Sequence, residues 1–368
     1  MTELLRTPLY DWHVAHGGRM VEFGGWEMPV QYTGIVEEHH AVRKAAGLFD
    51  ISHMGRLRFT GPDACALLDR IVTNDVSKLQ VGQVRYALVC NESGGVLDDV
   101  LVYRLPDCYW LVVNASNRLK IVSWIESQLG SFQATMHDLT RETAMIAVQG
   151  PQSSAALTAQ EAGAWQALKY YGVLTDPAAV GPEVRLLSRT GYTGEDGCEL
   201  VVPADQAVAV WERLIQHAKS AGVEVKPCGL GCRDTLRLEA AMPLYGHELT
   251  ESIDPLTAGL GFAVKLDKPD FLGKAALVEI AKRTDRPVRV GLQLSGRRIA
   301  REGAAVFAGE TRLGEVTSGT FSPTLEQAIA MAYVPPSHAA LGAAVEVDIR
   351  GKREAATVVK LPFYQRQK

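Results

Sequence analysis

Residues 85–104 read RYALVCNESGGVLDDVLVYR. Two apolar, β-branched runs, Arg85–Cys90 and Val96–Tyr103, flank NESGG, a cluster of turn-forming residues. This pattern predicts two antiparallel strands joined by a hairpin. A hairpin of this kind commits the region to an antiparallel sheet and not to a strand–helix–strand crossover. The stretch also carries a conflict. Asp98 and Asp99 stand side by side where the chain enters its core, and an unpaired carboxylate there costs several kcal/mol.

On either side, strands and helices alternate irregularly. Gly61-Pro62 opens a helix whose Ala64, Leu67, Leu68 and Ile71 share one face. Trp110–Val113 is a third strand. A longer helix is predicted from about Asp205 to Ser220, with Ala207, Trp211, Leu214, Ile215 and Ala218 facing inward. The pattern predicts an α+β fold with antiparallel sheets. The charged segment AKRTDRP (281–287) reads as a linker. Beyond it, VRVGLQL, GAAVFA, RLGEVTSG, AIAMAYV, AAVEVDI and AATVVKL recur as short runs between turns, so residues 284–368 predict a small β-barrel or sandwich. No internal repeat is visible.

The 368 residues suffice for two or three domains, and 47% hydrophobic and 22% charged residues with a net charge of −4 describe an ordinary soluble protein. That balance gives no electrostatic case for nucleic acid or an acidic membrane. No signal peptide or membrane-length apolar run is seen, so a cytoplasmic location is expected. The six cysteines form no C-x-x-C pair and read as reduced, buried thiols.

No glycine-rich dinucleotide or phosphate loop occurs, so no bound nucleotide is expected, and no serine or cysteine nucleophile motif is present. HELTE (247–251) begins like a zinc-protease helix but has Glu251 where the second histidine must stand, so no metal is expected. His39 and His40 point about 100° apart on a predicted helix, which favours a solvated or capping role over chelation. Three segments then combine glycine with charge: SGGVLDDVLVYR (93–104), RTGYTGEDGCELVVP (189–203) and GLGCRDTLRLEAAMPLYGHEL (229–249). One reading is structural pairing, with Arg233 and Arg237 one turn apart and bridging Asp234, Glu239 or the upstream acids. The other is a polar ligand. A carboxylate at Glu199 offers two acceptors that match the paired N–H donors of a guanidine-like heterocycle edge, such as a pterin. The residue pattern alone leaves both readings open.

These segments, together with TPLYDWHVAHGGRMVEFGGWEMPVQY, LFDISHMG and VTSGTFSPTLEQAIAMAYV, resemble the T-protein family of the glycine cleavage system, tetrahydrofolate-dependent aminomethyltransferases. The likeness runs from about Thr7 to Phe363. It implies a multidomain fold around a central channel: residues 1–283 form a folate-binding region of two interleaved subdomains, the second roughly 52–140, and 284–368 form a C-terminal β-barrel. It also implies a partner, the lipoylated H-protein. Its aminomethyl group yields ammonia, and the one-carbon unit passes to tetrahydrofolate to give 5,10-methylenetetrahydrofolate.

Residue by residue, the resemblance implies Asp99, the second acid of the G-G-x-x-D-D motif, as the catalytic group. Successive strand residues face opposite ways, so one acid can face the channel while the other is bonded elsewhere; periodicity does not say which. The resemblance further implies Glu199 as the pterin-binding carboxylate, Arg233 and Tyr192 as folate contacts, and Met54, Tyr86 and Asn114 as channel positions. Cys232 and Phe262 depart from the family's usual alanine and tryptophan. Relatives of the same architecture include folate-dependent demethylases of small methylated substrates and non-catalytic folate-binding proteins. The joint presence of the paired acids and GYTGEDG argues for an enzyme over a non-catalytic folate-binding protein.

Overall fold

The computed structural model describes residues 3–366 and divides into two compact units. The first comprises the chain up to Ile71, Asp75–Ala87 and Val100–Arg233; the second comprises Val72–Asn74, Leu88–Asp99 and the chain from Asp234 onward. No helix among the described residues is long and apolar enough to cross a membrane.

The first unit is built on a six-stranded sheet in the order Val173–Leu174, Leu186–Ser188, Gly197–Pro203, Thr143–Gln149, Ala46–Asp50, Val225–Cys228. All of its pairings are antiparallel except that of Val225–Cys228 with Ala46–Asp50. Every residue of the central strand Thr143–Gln149 is buried, as expected where both faces of a sheet are covered. The helix Ala207–Ser220 contributes Ala207, Val210, Trp211, Leu214 and Ala218 to this core. Ile215, expected to face inward, is half-buried. It packs against this core from the edge of the stripe, and Val210 joins the face on its other side.

A five-stranded sheet follows the order Gln83–Cys90, Val96–Arg104, Tyr109–Val113, Gly55–Thr60, Thr135–Asp138. The expected hairpin is there, and its turn explains the glycine pair. Gly94 has φ +86°, and a side chain on Gly95 would come within 1.8 Å of the Glu251 carbonyl. Asn91 closes the turn, accepting at Oδ1 from the Gly95 N–H at 2.9 Å. The helix Ala64–Ile71 buries the four residues assigned to its inner face.

In the second unit, six strands close into a barrel: Val288–Leu294, Gln327–Val334, Thr311–Ser322, Ala305–Ala308, Ala344–Asp348 and Arg353–Val359. Closure comes from pairing of the first strand with the last, Gly291 opposite Val359. The strand Gln327–Val334 sorts its side chains by alternation. Ala328, Ala330, Ala332 and Val334 fill the barrel, while Ile329 and Met331 pack outside against Leu238 and Ala241.

Two charged residues of the third polar segment have structural partners in this unit. Arg237 is 2% exposed and bonds Glu248 Oε2 at 2.8 Å, Ser318 Oγ at 2.8 Å and Asp234. Burial works to raise the Glu248 pKa, but Arg237 and the hydroxyls of Ser318 and Thr317 outweigh it and hold the carboxyl below its ordinary range. Glu248 is thus the counter-ion of Arg237 on a turn, not part of a helix. Glu239 accepts from Ser322, Thr324 Oγ1 and the Thr324 N–H.

Candidate functional site

The loop 189–197 of the first unit is tied down from three sides. Arg189 makes a two-point bridge to Asp196 (3.1 and 2.6 Å) and lies over the Trp165 ring. Arg43 reaches Glu195 at 3.0 Å and the Thr193 carbonyl at 2.7 Å. Gln149 donates to the Thr190 carbonyl at 3.1 Å and accepts from Thr193 Oγ1 at 2.9 Å. Glu195 and Asp196 are therefore spent on loop architecture. The glycines in this loop make room for it, since a side chain on Gly191 would overlap the Gln149 amide.

Glu199 follows on the strand Gly197–Pro203 and is 5% exposed. Thr190 Oγ1 donates to its Oε2 at 2.5 Å, which commits the only proton of Thr190; Ser188, 2.7 Å away, therefore donates to Thr190. Burial raises the Glu199 pKa, against the Thr190 bond and the charge of Arg233. The Arg233 guanidinium lies 4.7 Å above the Tyr192 ring, a cation–π arrangement. Tyr103 is buried on the strand Val96–Arg104, and burial together with Glu199 pushes its hydroxyl pKa up.

Met54 and Asn114 are also brought side by side. Gly55 pairs with Val113 in antiparallel register, so Met54 leaves one strand where Asn114 leaves its neighbour. Met54, Asn114, Tyr192, Arg233 and Tyr86, on the edge strand Gln83–Cys90, are all half-buried. Asp98 is fully enclosed while Asp99 is half-buried. Between the neighbouring acids, then, Asp99 is the one with surface to offer.

One buried network had no signal in the sequence. Asp50 accepts from Thr7 Oγ1 (2.6 Å), His13 Nε2 (2.9 Å) and the Ser52 N–H (2.9 Å), and Tyr32 Oη lies 2.8 Å from His13 Nδ1. The carboxylate can only accept, so Nε2 of His13 carries a proton. Burial opposes ionisation of Asp50, but the His13 bond and charge and the Ser52 and Thr7 bonds bring its pKa down to about 2. The stability this adds is full above the ordinary carboxyl range and is lost as pH falls from about 4 through 2. Wild type is expected to lose about 2 kcal/mol more than Asp50→Asn over that window, measured as urea midpoints by tryptophan fluorescence. Parallel loss in both proteins would contradict the assignment.

Glu38, Cys228 and Cys232 also converge, all buried, with ligand atoms within 4.8 Å of one another. Glu38 is occupied, however, accepting at Oε1 from Tyr32, Thr33 and Gly34 N–H and at Oε2 from Gly229 N–H. Burial raises the Cys232 pKa, which favours the thiol. The cluster reads as a capped turn with two packed thiols. All six cysteines are free, Cys65 and Cys108 half-buried and the others buried. His39, for which a solvated or capping role is expected, is fully buried on the helix Ile35–Lys44, its ring edge-on to His40, which rules out the solvated role.

Comparison with known proteins shows the family to which the chain belongs. The GCVT N-terminal domain family matches residues 9–268, and the glycine cleavage T-protein C-terminal barrel domain family matches residues 288–365. An aminomethyltransferase of Symbiobacterium thermophilum is 49% identical over 368 residues, covering 98% of each chain. One of Streptomyces coelicolor is 49% identical, covering 100% of this chain and 99% of the relative. The crystal structure of the glycine cleavage system aminomethyltransferase T from Bartonella henselae superimposes with a TM-score of 0.90 at 35% identity, covering 98% of each chain.

Proposed function

From a chain that belongs to the glycine cleavage T-protein family and is an aminomethyltransferase, we propose that tetrahydrofolate is the one-carbon acceptor and lipoylated H-protein the donor. The reaction converts the S-aminomethyl arm and tetrahydrofolate into 5,10-methylenetetrahydrofolate, ammonia and the dihydrolipoyl thiol.

The observation that carries the folate reading is Glu199. It is a nearly enclosed carboxylate whose one side-chain donor among the described residues is Thr190. Such a group is costly to ionise when empty, and paired N–H donors on a pterin edge lower that cost. Arg233, stacked on Tyr192, supplies positive charge and a flat cationic surface beside it. Asp99 acts by position and charge: it orients the attacking amine and counters the positive charge that develops on N5. No covalent enzyme intermediate is required of the residues.

The test is calorimetric titration with tetrahydrofolate. Glu199→Gln is expected to bind roughly 10- to 100-fold more weakly, with equal or greater thermal stability at pH 7, because a buried ionisable group has been removed. Affinity unchanged by the substitution would remove Glu199 from the pterin contact.

A further inference from the structure

Arg56 is fully buried and its bonds go to neutral acceptors. Nη1 donates to the Ser52 carbonyl (3.1 Å) and the Met54 carbonyl (2.5 Å); Nη2 donates to the carbonyls of Thr140 (2.5 Å) and Thr143 (3.0 Å); and Nε donates to Thr143 Oγ1 (2.8 Å). Burial lowers its pKa to about 10, with Asp50 and Asp138 favouring the charge. A guanidinium can serve four carbonyls and a hydroxyl at once because its five donors form a rigid planar fork; an ammonium has three donors on a single nitrogen.

What the fork holds is the turn Ser52–His53–Met54. Asp50 takes the Ser52 N–H from one end at 2.9 Å, and Arg56 takes the carbonyls of Ser52 and Met54 from the other. His53 is 1% exposed and its ring stands edge-on to Phe23, and Nδ1 has no hydrogen-bond partner among the described residues. Met54 leaves the turn beside Asn114.

We propose that Arg56 is a positioning residue for the folate site, fixing Met54 against the ligand by clamping the backbone of the 52–54 turn. The inference rests on the tetrahydrofolate reading above. It goes beyond that reading in assigning site geometry to a residue that does not touch the ligand.

Two variants test it, Arg56→Lys and Thr143→Val, each studied well below its own melting temperature so that the protein is folded. Tetrahydrofolate affinity is measured by calorimetry, steady-state kinetics give KM and kcat, and the Met54 ε-methyl carbon-13 signal, assigned with Met54→Leu, reports on the turn. The expected result is a roughly tenfold weaker Kd for Arg56→Lys and about threefold for Thr143→Val. The loss should lie mainly in the KM for tetrahydrofolate, with a displaced or broadened Met54 signal in the unliganded protein. A lower melting temperature with Kd, KM and the Met54 signal unchanged would overturn the proposal. If Arg56→Lys does not fold, Thr143→Val decides by the same criteria. Wild type that fails to bind tetrahydrofolate would instead sink the folate reading itself.

Discussion

Asp99→Asn is expected to lower one-carbon transfer at least about 100-fold while changing tetrahydrofolate affinity by no more than a few-fold. The substitution keeps the shape of the side chain and removes only its charge and its capacity to take a proton. Asp99 is half-buried and Asp98 fully enclosed on the same strand, with alternation sending them to opposite faces. Asp98→Asn should therefore act mainly on stability, whereas Asp99→Asn should act mainly on kcat. Single-turnover measurements with saturating tetrahydrofolate separate the two, because they report the chemical step apart from binding. Near-normal transfer by Asp99→Asn would take the catalytic role away from this residue.

The largest effect on stability is expected at Arg237. Replacing it with methionine leaves Glu248, 0% exposed, without its guanidinium and should destabilise the second unit by about 3–5 kcal/mol at neutral pH. Adding Glu248→Gln should recover a large part of that loss, since the stranded charge and not the missing contact carries most of the penalty. All six tryptophans lie in the first unit, so fluorescence is the wrong probe. Hydrogen exchange in the barrel strands Thr311–Ser322 and Gln327–Val334 reads the effect directly. Equal protection in wild type and Arg237→Met would show that the pair contributes little.

The parts of the fold legible in the sequence are those written in short-range periodicity. The hairpin at NESGG, the helix with Ala64, Leu67, Leu68 and Ile71, and the alternating runs after residue 284 were read from spacing and stand in the structure. Spacing alone left barrel and sandwich open, because closure depends on pairing Gly291 with Val359 across the whole domain; the family resemblance supplied the barrel. Long-range polar pairing hid in the same way. Arg43 and Glu195 are 152 positions apart, and Asp50 and His13 are 37 apart with no local motif linking them. Arg56 reads in sequence as an ordinary alternating residue of GRLRFT, and only the fold turns it inward. His39 was misread for a related reason: a histidine pair on a helix looks solvated until a neighbouring element covers one face.

The most direct measurement is a coupled assay with aminomethylated H-protein and tetrahydrofolate, following ammonia and 5,10-methylenetetrahydrofolate in the same sample. The two should appear in equal amounts, with no ammonia burst when tetrahydrofolate is left out. Absence of both from a reaction with active partners, alongside methyl transfer from a small methylated amine to tetrahydrofolate, would contradict the account.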